Sequence, residues 1–544
     1  MEGLIVSKRW TVLLALLVLG ISACTNGGGG ATAASGGSTA GTPASGATTG
    51  PADLTRALLA IEQGSRYRQS DWGYVVLDQK TGEVLASQDP VRMFDPGSTM
   101  KTFAVAAALE NYGSDYVFRT PVYRVGTQSG DTLNGNLVLV GSGDLSFGLR
   151  KQPDGSLYYE NLPDLNHSYA TVGLPGAIEP PGDPLSALDE LAASVKAAGI
   201  TRVNGDVVID DRLFTPHNFP DGLVSPIWVN ENLIDIEVTP GSAAGQATTI
   251  DWRPKTASYT VENQATTVDA QQTTALHVTE PTPGHLVVTG KIAAGNKPTL
   301  VVKEITDPAA FARTAFIEAL QRAGVTVSAN PTGPNPAALL PAKDSYRAAD
   351  KLGEHVSANL AAYVKLIMKV SYNLGADLMT CLAAVKTGST DCEQGLAAEV
   401  KTATSLGVSK DQMLPFDGAG GDDENRGTPT AFATFYKQAT GAPYGKVLYD
   451  SLPILGKDGT IANVLPDSPA AGKVRMKTGN RVASTAAGQI IVLGNSLAGY
   501  IEAKTGRQLT FMVGVANVPI ATIAEFEQVT ADQAQMTAAI QQAF

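Results

Sequence analysis

Apolar and polar positions change their spacing several times along this chain, and each change marks a different kind of segment. The first apolar run, residues 12–19, follows Lys8 and Arg9 and is too short to span a bilayer. A basic flank, a short apolar core and the small residues that close it read as a signal peptide over 1–23. The next stretch, 24–51, is almost wholly Gly, Ala, Ser and Thr, which cannot bury a core and reads as a flexible tether. Periodicity then begins. The spacing predicts a helix over 53–63, and a hairpin of 74–78 and 83–86 about the turn Lys80-Thr81-Gly82. A run of helix formers over 102–110 predicts a second helix, with Gly113 as its stop. From 121 to 341 the texture is short strands between Gly, Pro and Asp turns. Two segments there look alike: 191–210 and 315–328 each read as helix, then Ala198-Gly199-Ile200-Thr201 or Ala323-Gly324-Val325-Thr326, then strand. Helical spacing resumes over 360–369, 374–386 and 396–405, gives way to strands at 473–477, 489–493 and 509–518, and ends in a helix over 530–544. A helical block with a hairpin-rich antiparallel sheet, closed by terminal helices, makes the expected class α+β, split in sequence by the middle segment.

At 544 residues the chain exceeds what one core supports, so two or three domains are expected. A net charge of −12 without long single-sign runs argues against a nucleic-acid partner. The signal-like segment closes in Ile21-Ser22-Ala23-Cys24, which resembles the lipobox of bacterial lipoproteins. That implies removal of 1–23, a lipid on Cys24, and a body tethered to a membrane outside the cytoplasm. In such a compartment Cys381 and Cys392 are a pair able to form a local disulfide. The five histidines are scattered without ligand spacing, so neither a metal nor another cofactor is expected.

The chemistry begins at Pro96-Gly97-Ser98-Thr99-Met100-Lys101. Ser-x-x-Lys at a helix start sets a hydroxyl and an amine on one face, one turn apart, and a serine hydroxyl needs such a base to become a nucleophile. Alone, the motif reads as a helix cap beside a solvated lysine. Together with Ser-x-Asn and Lys-Thr-Gly it is the signature of penicillin-binding proteins and related β-lactamases. Lys-Thr-Gly occurs four times, at Lys80, Lys386, Lys477 and Lys504. The first and last lie in hairpin turns and the second ends a helix. Only Lys477 stands on an extended segment, where Gly479 would let a substrate backbone come close. Ser-x-Asn occurs at Ser328, Ser357 and Ser371. Ser371-Tyr372-Asn373, between two apolar helices, is the preferred site; Ser357, a cap candidate for the helix running to Lys369, is its rival.

With these motifs in order, the chain resembles the D-alanyl-D-alanine carboxypeptidase/endopeptidase family of class C low-molecular-mass penicillin-binding proteins, peptidase family S13. Further matches are Gly141-Ser142-Gly143-Asp144, Gly205 to Asp211, Asn230-x-Asn232 with Pro240-Gly241, Asp417-Gly418-Ala419-Gly420, Asn425 with Thr428-Pro429, and Gly456-x-Asp458-Gly459-Thr460. Three positions depart from the pattern: Leu145 for Pro, Gly421-Asp422-Asp423-Glu424 for a Leu-Ser-Arg run, and Asn480 after Lys-Thr-Gly. Asp377 supplies the acid of the second motif. The resemblance implies a serine β-lactamase/DD-transpeptidase-like domain, an antiparallel sheet plus a helical subdomain, made from 52–120 and 342–544. Between them, 121–341 is a large mixed α/β insert forming accessory domains. It implies peptidoglycan stem peptides as substrates, β-lactams as ligands, and an acyl-enzyme on Ser98. Lys101 would be the base, its pKa lowered by desolvation and by Lys477. Ser371 would relay the proton, Asn373 would orient Lys101 and the substrate amide, and Lys477 with Thr478 would hold the terminal carboxylate. The N–H groups of Ser98 and Asn480 would form the oxyanion hole. Asp417 would be either a substrate contact or a turn former. The alternatives are a serine β-lactamase or esterase, and a non-catalytic β-lactam-binding or scaffolding lipoprotein.

Overall fold

The computed structural model describes residues 49–160, 166–172 and 176–544. The signal segment, Cys24 and all but the last residues of the tether lie outside the described residues. Among the described residues, no helix is long and apolar enough to cross a membrane.

The chain's two ends build one antiparallel sheet of five strands. Its order is Val84–Gln88, Asp71–Asp78, Gln508–Ile520, Ile490–Glu502 and Val474–Ser484. The terminal helices Ala52–Glu62 and Ile523–Ala543 pack together, and Leu54, Leu58, Trp72, Tyr74, Val76, Val513 and Ile540 share their core. A second core holds the helix Lys101–Tyr112, in which every residue from Lys101 to Leu109 is buried. That helix is apolar all round, the pattern of one buried on all sides rather than lying on a surface. Phe103 meets Phe432 and Phe435 at ring-centroid distances of 5.0 and 4.9 Å. The α+β class expected from the sequence is the one observed.

Several boundaries differ from the sequence reading for an identifiable reason. The last three strands run on as Val474–Ser484, Ile490–Glu502 and Gln508–Ile520. Their continuations contain buried polar residues that break apolar alternation: Ser496 Oγ donates to Pro96 O at 2.7 Å, and Asn495 Nδ2 to Thr530 Oγ1 at 3.0 Å. The last helix starts at Ile523, capped by Thr522, whose Oγ1 accepts from Glu525 N at 3.2 Å while the Glu525 carboxylate accepts from Ala521 N at 2.5 Å. The helix Leu360–Val370 is capped from Ser357-Ala358-Asn359, by Asn359, whose Oδ1 accepts from Ala362 N at 3.1 Å.

Between the two runs that form the first sheet, the chain builds further sheets. One places Thr132–Val140 beside Val117–Ser129, which pairs in turn with Lys351–Asn359. The two look-alike segments meet in this sheet: Thr326–Val327 runs parallel to Arg202–Val203, and the preceding helices, Pro308–Arg322 and Ser186–Ala197, pack on each other. Other strands, including Leu233–Thr239 and Thr299–Glu304, form a three-stranded sheet and a four-stranded one.

Candidate active site

Ser98 lies in a 3-10 turn, Gly97–Met100, that leads into the helix Lys101–Tyr112. In that tight turn, side chains three apart eclipse one another. Lys101 Nζ accordingly donates to Ser98 Oγ at 2.7 Å, and also to Asn373 Oδ1 at 2.6 Å and Ala419 O at 2.7 Å. The entry to the turn is set by Asp95, whose carboxylate accepts from Gly97 N at 3.0 Å. Gly97 is left-handed (φ 50°), and a Cβ there would fall 2.5 Å from Asn480 N. Ser98 and Asn480 are thereby neighbours through their backbones.

Asn373 and Ser371 arrive together because two helices meet there. Leu360–Val370 ends at Ser371 in the left-handed region (φ 61°), and Asn373–Lys386 begins two residues later. This reversal faces Ser371 Oγ toward Lys477 Nζ, which donates to it at 2.8 Å and to Thr478 O at 2.7 Å. Lys477 is fully buried on the strand Val474–Ser484. The next glycine has a use beyond the one the sequence suggested. A Cβ on Gly479 would lie 2.0 Å from Pro96 O and 2.8 Å from Thr99 N, so its bare backbone makes room for the turn that carries Ser98.

The other copies of the motifs stand elsewhere. Ser357 Oγ accepts from Phe118 N at 2.9 Å within a sheet. Ser328 N donates to Val203 O at 3.0 Å. Lys386 stacks over the Tyr112 ring, 4.4 Å from its centroid, and Lys80 and Lys504 sit in strand-connecting turns closed by left-handed Gly82 and Gly506. Cys381 and Cys392 are joined as a disulfide.

Burial dominates the electrostatics. It takes the Lys101 pKa down to about 8, against the pull of Asp221, Asp377 and Asp417, with Arg481 adding a smaller downward push. The sequence reading assigned part of that lowering to Lys477. The two amines repel each other, and burial with the charge of Lys101 pushes Lys477 well below the lysine range.

Two aspartates hold the Asp417–Gly420 loop. The Asp417 carboxylate accepts from Gly420 N (2.5 Å), Gly421 N (2.9 Å), Asp422 N (2.6 Å) and Asn425 Nδ2 (3.1 Å), so its lone pairs are occupied within its own turn. Of its two readings, this geometry supports the turn former. Asp377 Oδ1 accepts from Gly418 N at 3.1 Å and Ala419 N at 2.9 Å, which aims the Ala419 carbonyl at Lys101. Sequence reasoning missed that carbonyl because any residue type supplies one. It also passed over Thr460, whose Oγ1 accepts from Thr478 Oγ1 at 2.9 Å, although its motif carried the signal. The loop holding Thr460 is fixed by Lys369, whose Nζ donates to both Asp458 carboxylate oxygens at 2.8 and 2.7 Å. At the rim Asp423, in the run that departs from the family pattern, forms an ion pair with Arg481.

The family model for D-Ala-D-Ala carboxypeptidase 3 (S13) matches residues 54–539. The chain belongs to the S13 family. Membership gives the class of chemistry, that of a serine peptidase of peptidoglycan metabolism. The chain is 28% identical over 470 residues to a D-alanyl-D-alanine carboxypeptidase of Actinomadura sp. (strain R39), covering 81% of this chain and 77% of that one. It is 22% identical over 432 residues to the D-alanyl-D-alanine carboxypeptidase DacB of Haemophilus influenzae, covering 76% and 80%. Its fold resembles the crystal structure of penicillin binding protein 4 from H. influenzae, with TM-score 0.64 and 19% identity over 89% of this chain and 98% of that one.

Proposed function

We propose that this S13 member cleaves the D-Ala-D-Ala ends of peptidoglycan stem peptides, or D-Ala cross-links, through an acyl-Ser98 intermediate that β-lactams also form. The supporting observation is the shared amine: Lys101 Nζ touches Ser98 Oγ and Asn373 Oδ1, while Ser371 Oγ beside them is held by Lys477. Neutral Lys101 takes the Ser98 proton as Oγ bonds to the carbonyl carbon of the penultimate D-Ala. The developing oxyanion is received by the N–H groups of Ser98 and Asn480, each such donor being worth about 2.7–4 kcal/mol. The C–N bond then breaks, and Ser371 relays the proton that Lys101 took from Ser98 to the departing amine, leaving Lys101 neutral again. Water attacks the ester, releasing the shortened peptide and restoring the Ser98 hydroxyl. Asn373 orients Lys101 and the substrate amide. Thr478, steadied by Thr460, and Lys477 receive the carboxylate of terminal D-Ala, whose negative charge favours the ammonium form of the buried Lys477. In the same reading the enzyme works outside the cytoplasm, held to a membrane by a lipid on Cys24 once 1–23 are removed.

The test is intact mass after incubation with penicillin, followed by assay on pentapeptide and cross-linked fragments. A covalent adduct absent from Ser98→Ala, with D-Ala released from the pentapeptide, is expected. An adduct that persists in Ser98→Ala defeats the assignment. Rapid penicillin turnover would favour a β-lactamase or esterase; labelling without peptide cleavage would favour a binding or scaffolding lipoprotein.

A further inference from the structure

The segment between the first two motifs contains a buried charge network that the chemistry above does not use. Arg150 donates through Nε to the Glu231 carboxylate and through Nη1 to Glu160 at 3.1 and 3.2 Å. His167 bridges two carboxylates, with Nε2 at 2.8 Å from Glu231 and Nδ1 at 3.0 Å from Asp235. Asn230 Nδ2 donates to Asp235 at 3.1 Å. The side chains of Arg150, Glu160, His167, Glu231 and Asp235 are all fully buried. Glu231 lies among three consecutive left-handed residues, Asn230, Glu231 and Asn232, with φ of 54°, 54° and 57°. Such backbone persists only where its surroundings over-determine it, and it collects at functional sites.

Two links run from this network to the Ser371 turn. His167 and Tyr169 share the 3-10 helix His167–Val172, and Tyr169 Oη donates to Ser371 O at 2.8 Å and to Val370 O at 3.3 Å. The middle residue of the second motif, Tyr372, is buried with its hydroxyl in the field of Glu231 and Arg150. Ser371 itself is left-handed, a conformation a serine leaves readily unless its peptide is held. Apolar packing would fill the same space without fixing which way that carbonyl points; hydrogen bonds fix it.

We propose that the network is a brace. It holds the Ser371–Asn373 turn in the geometry that brings Ser371 to Lys477 and Asn373 to Lys101, with Tyr169 and Glu231 as positioning residues. The kinetic part of this inference rests on the proposed function; the structural part does not.

The test uses the full chain and two variants, Tyr169→Phe, which deletes one hydroxyl, and Glu231→Gln. Amide hydrogen exchange is followed in peptides covering 366–378, where Tyr372 N donates to Ile367 O and Ala376 N to Tyr372 O. Exchange there is expected to rise about tenfold in Tyr169→Phe, the worth of the one hydrogen bond it loses, and to rise in Glu231→Gln by more than about twofold, with the helix Lys101–Tyr112 unchanged in both. In parallel, kcat for D-Ala release should fall about tenfold while KM stays within about twofold. Exchange at the turn within twofold of the unmodified protein in both variants would overturn the proposal. So would a rise spread evenly over the fold, or a loss confined to KM. An unmodified protein that penicillin never acylates refutes the functional reading instead, and the exchange result still decides the brace.

Discussion

Two buried clusters of charge are linked to the Ser371–Asn373 turn, one through Lys101 and one through Tyr169, and they titrate in opposite senses. Around Arg150, cations and carboxylates alternate in direct contact. Burial alone would neutralise His167, yet Asp235 and Glu231 raise its pKa to about 9, and Arg150 with His167 lowers that of Glu231 to about 2. Around Lys101 the carboxylates are present but not in contact with the amine: Asp377 Oδ1 and the Asp417 carboxylate accept from backbone N–H groups, and the amine's own bonds go to neutral oxygens. Burial therefore wins there, and Lys101 falls to about 8. What separates an ion network from a poised base is whether each charge has a partner in contact, not how deeply it is buried.

The largest expected effect is on the poised side. Ser98→Ala should abolish acylation, and Lys101→Met should slow it by about 10²–10⁴, the range for loss of a general base; stopped-flow with a chromogenic cephalosporin measures both. Next is the compensated side. Arg150→Met leaves Glu160 buried without its cation and Glu231 with His167 alone, and should cost about 3–5 kcal/mol in denaturant unfolding. Retained stability would mean that the two clusters differ less than their contacts indicate.

The pH dependences should diverge too. Acylation should rise as Lys101 loses its proton, close to tenfold per pH unit below about 8, then level off. The His167 contribution to stability runs the other way. Its folded pKa, about 9, lies above the ordinary 6.5, so the contribution is complete below 6.5 and is lost as pH rises through 9. It amounts to something on the order of 3 kcal/mol, measurable as a fall in unfolding midpoint that His167→Gln should flatten. Asp377→Asn keeps the acceptor for Gly418 and Ala419 but removes a carboxylate that holds Lys101 up, so the midpoint of the acylation profile should move below 8 with little change in its plateau. The smallest effect is expected at the rim. Asp423→Asn breaks a pair whose acid is 57% exposed and should change stability by less than about 1 kcal/mol.

Helices and strands were legible wherever apolar spacing was regular, and blurred where side chains were diverted to hold the site. The strands near 496 and 479 ran past their expected ends because Ser496, Asn495 and Thr478 are buried for their hydrogen bonds. The Ser98 turn illustrates the same limit. A helix start was expected, but a 3-10 turn is what eclipses Ser98 and Lys101.

The sequence by itself determined the inventory: one Ser-x-x-Lys, an α+β pattern interrupted by a long insert, and motifs in the order that marks the S13 family. It could not choose among the copies of Ser-x-Asn and Lys-Thr-Gly by geometry, since local spacing carries no long-range distance. Only the tertiary structure brought Ser371 to Lys477 and Asn373 to Lys101. It also gave Gly479 its use, settled Asp417 into its own turn, and supplied the Ala419 carbonyl. Each of these depends on a contact between segments far apart in the chain, and on a dielectric that exists only once they have closed around it.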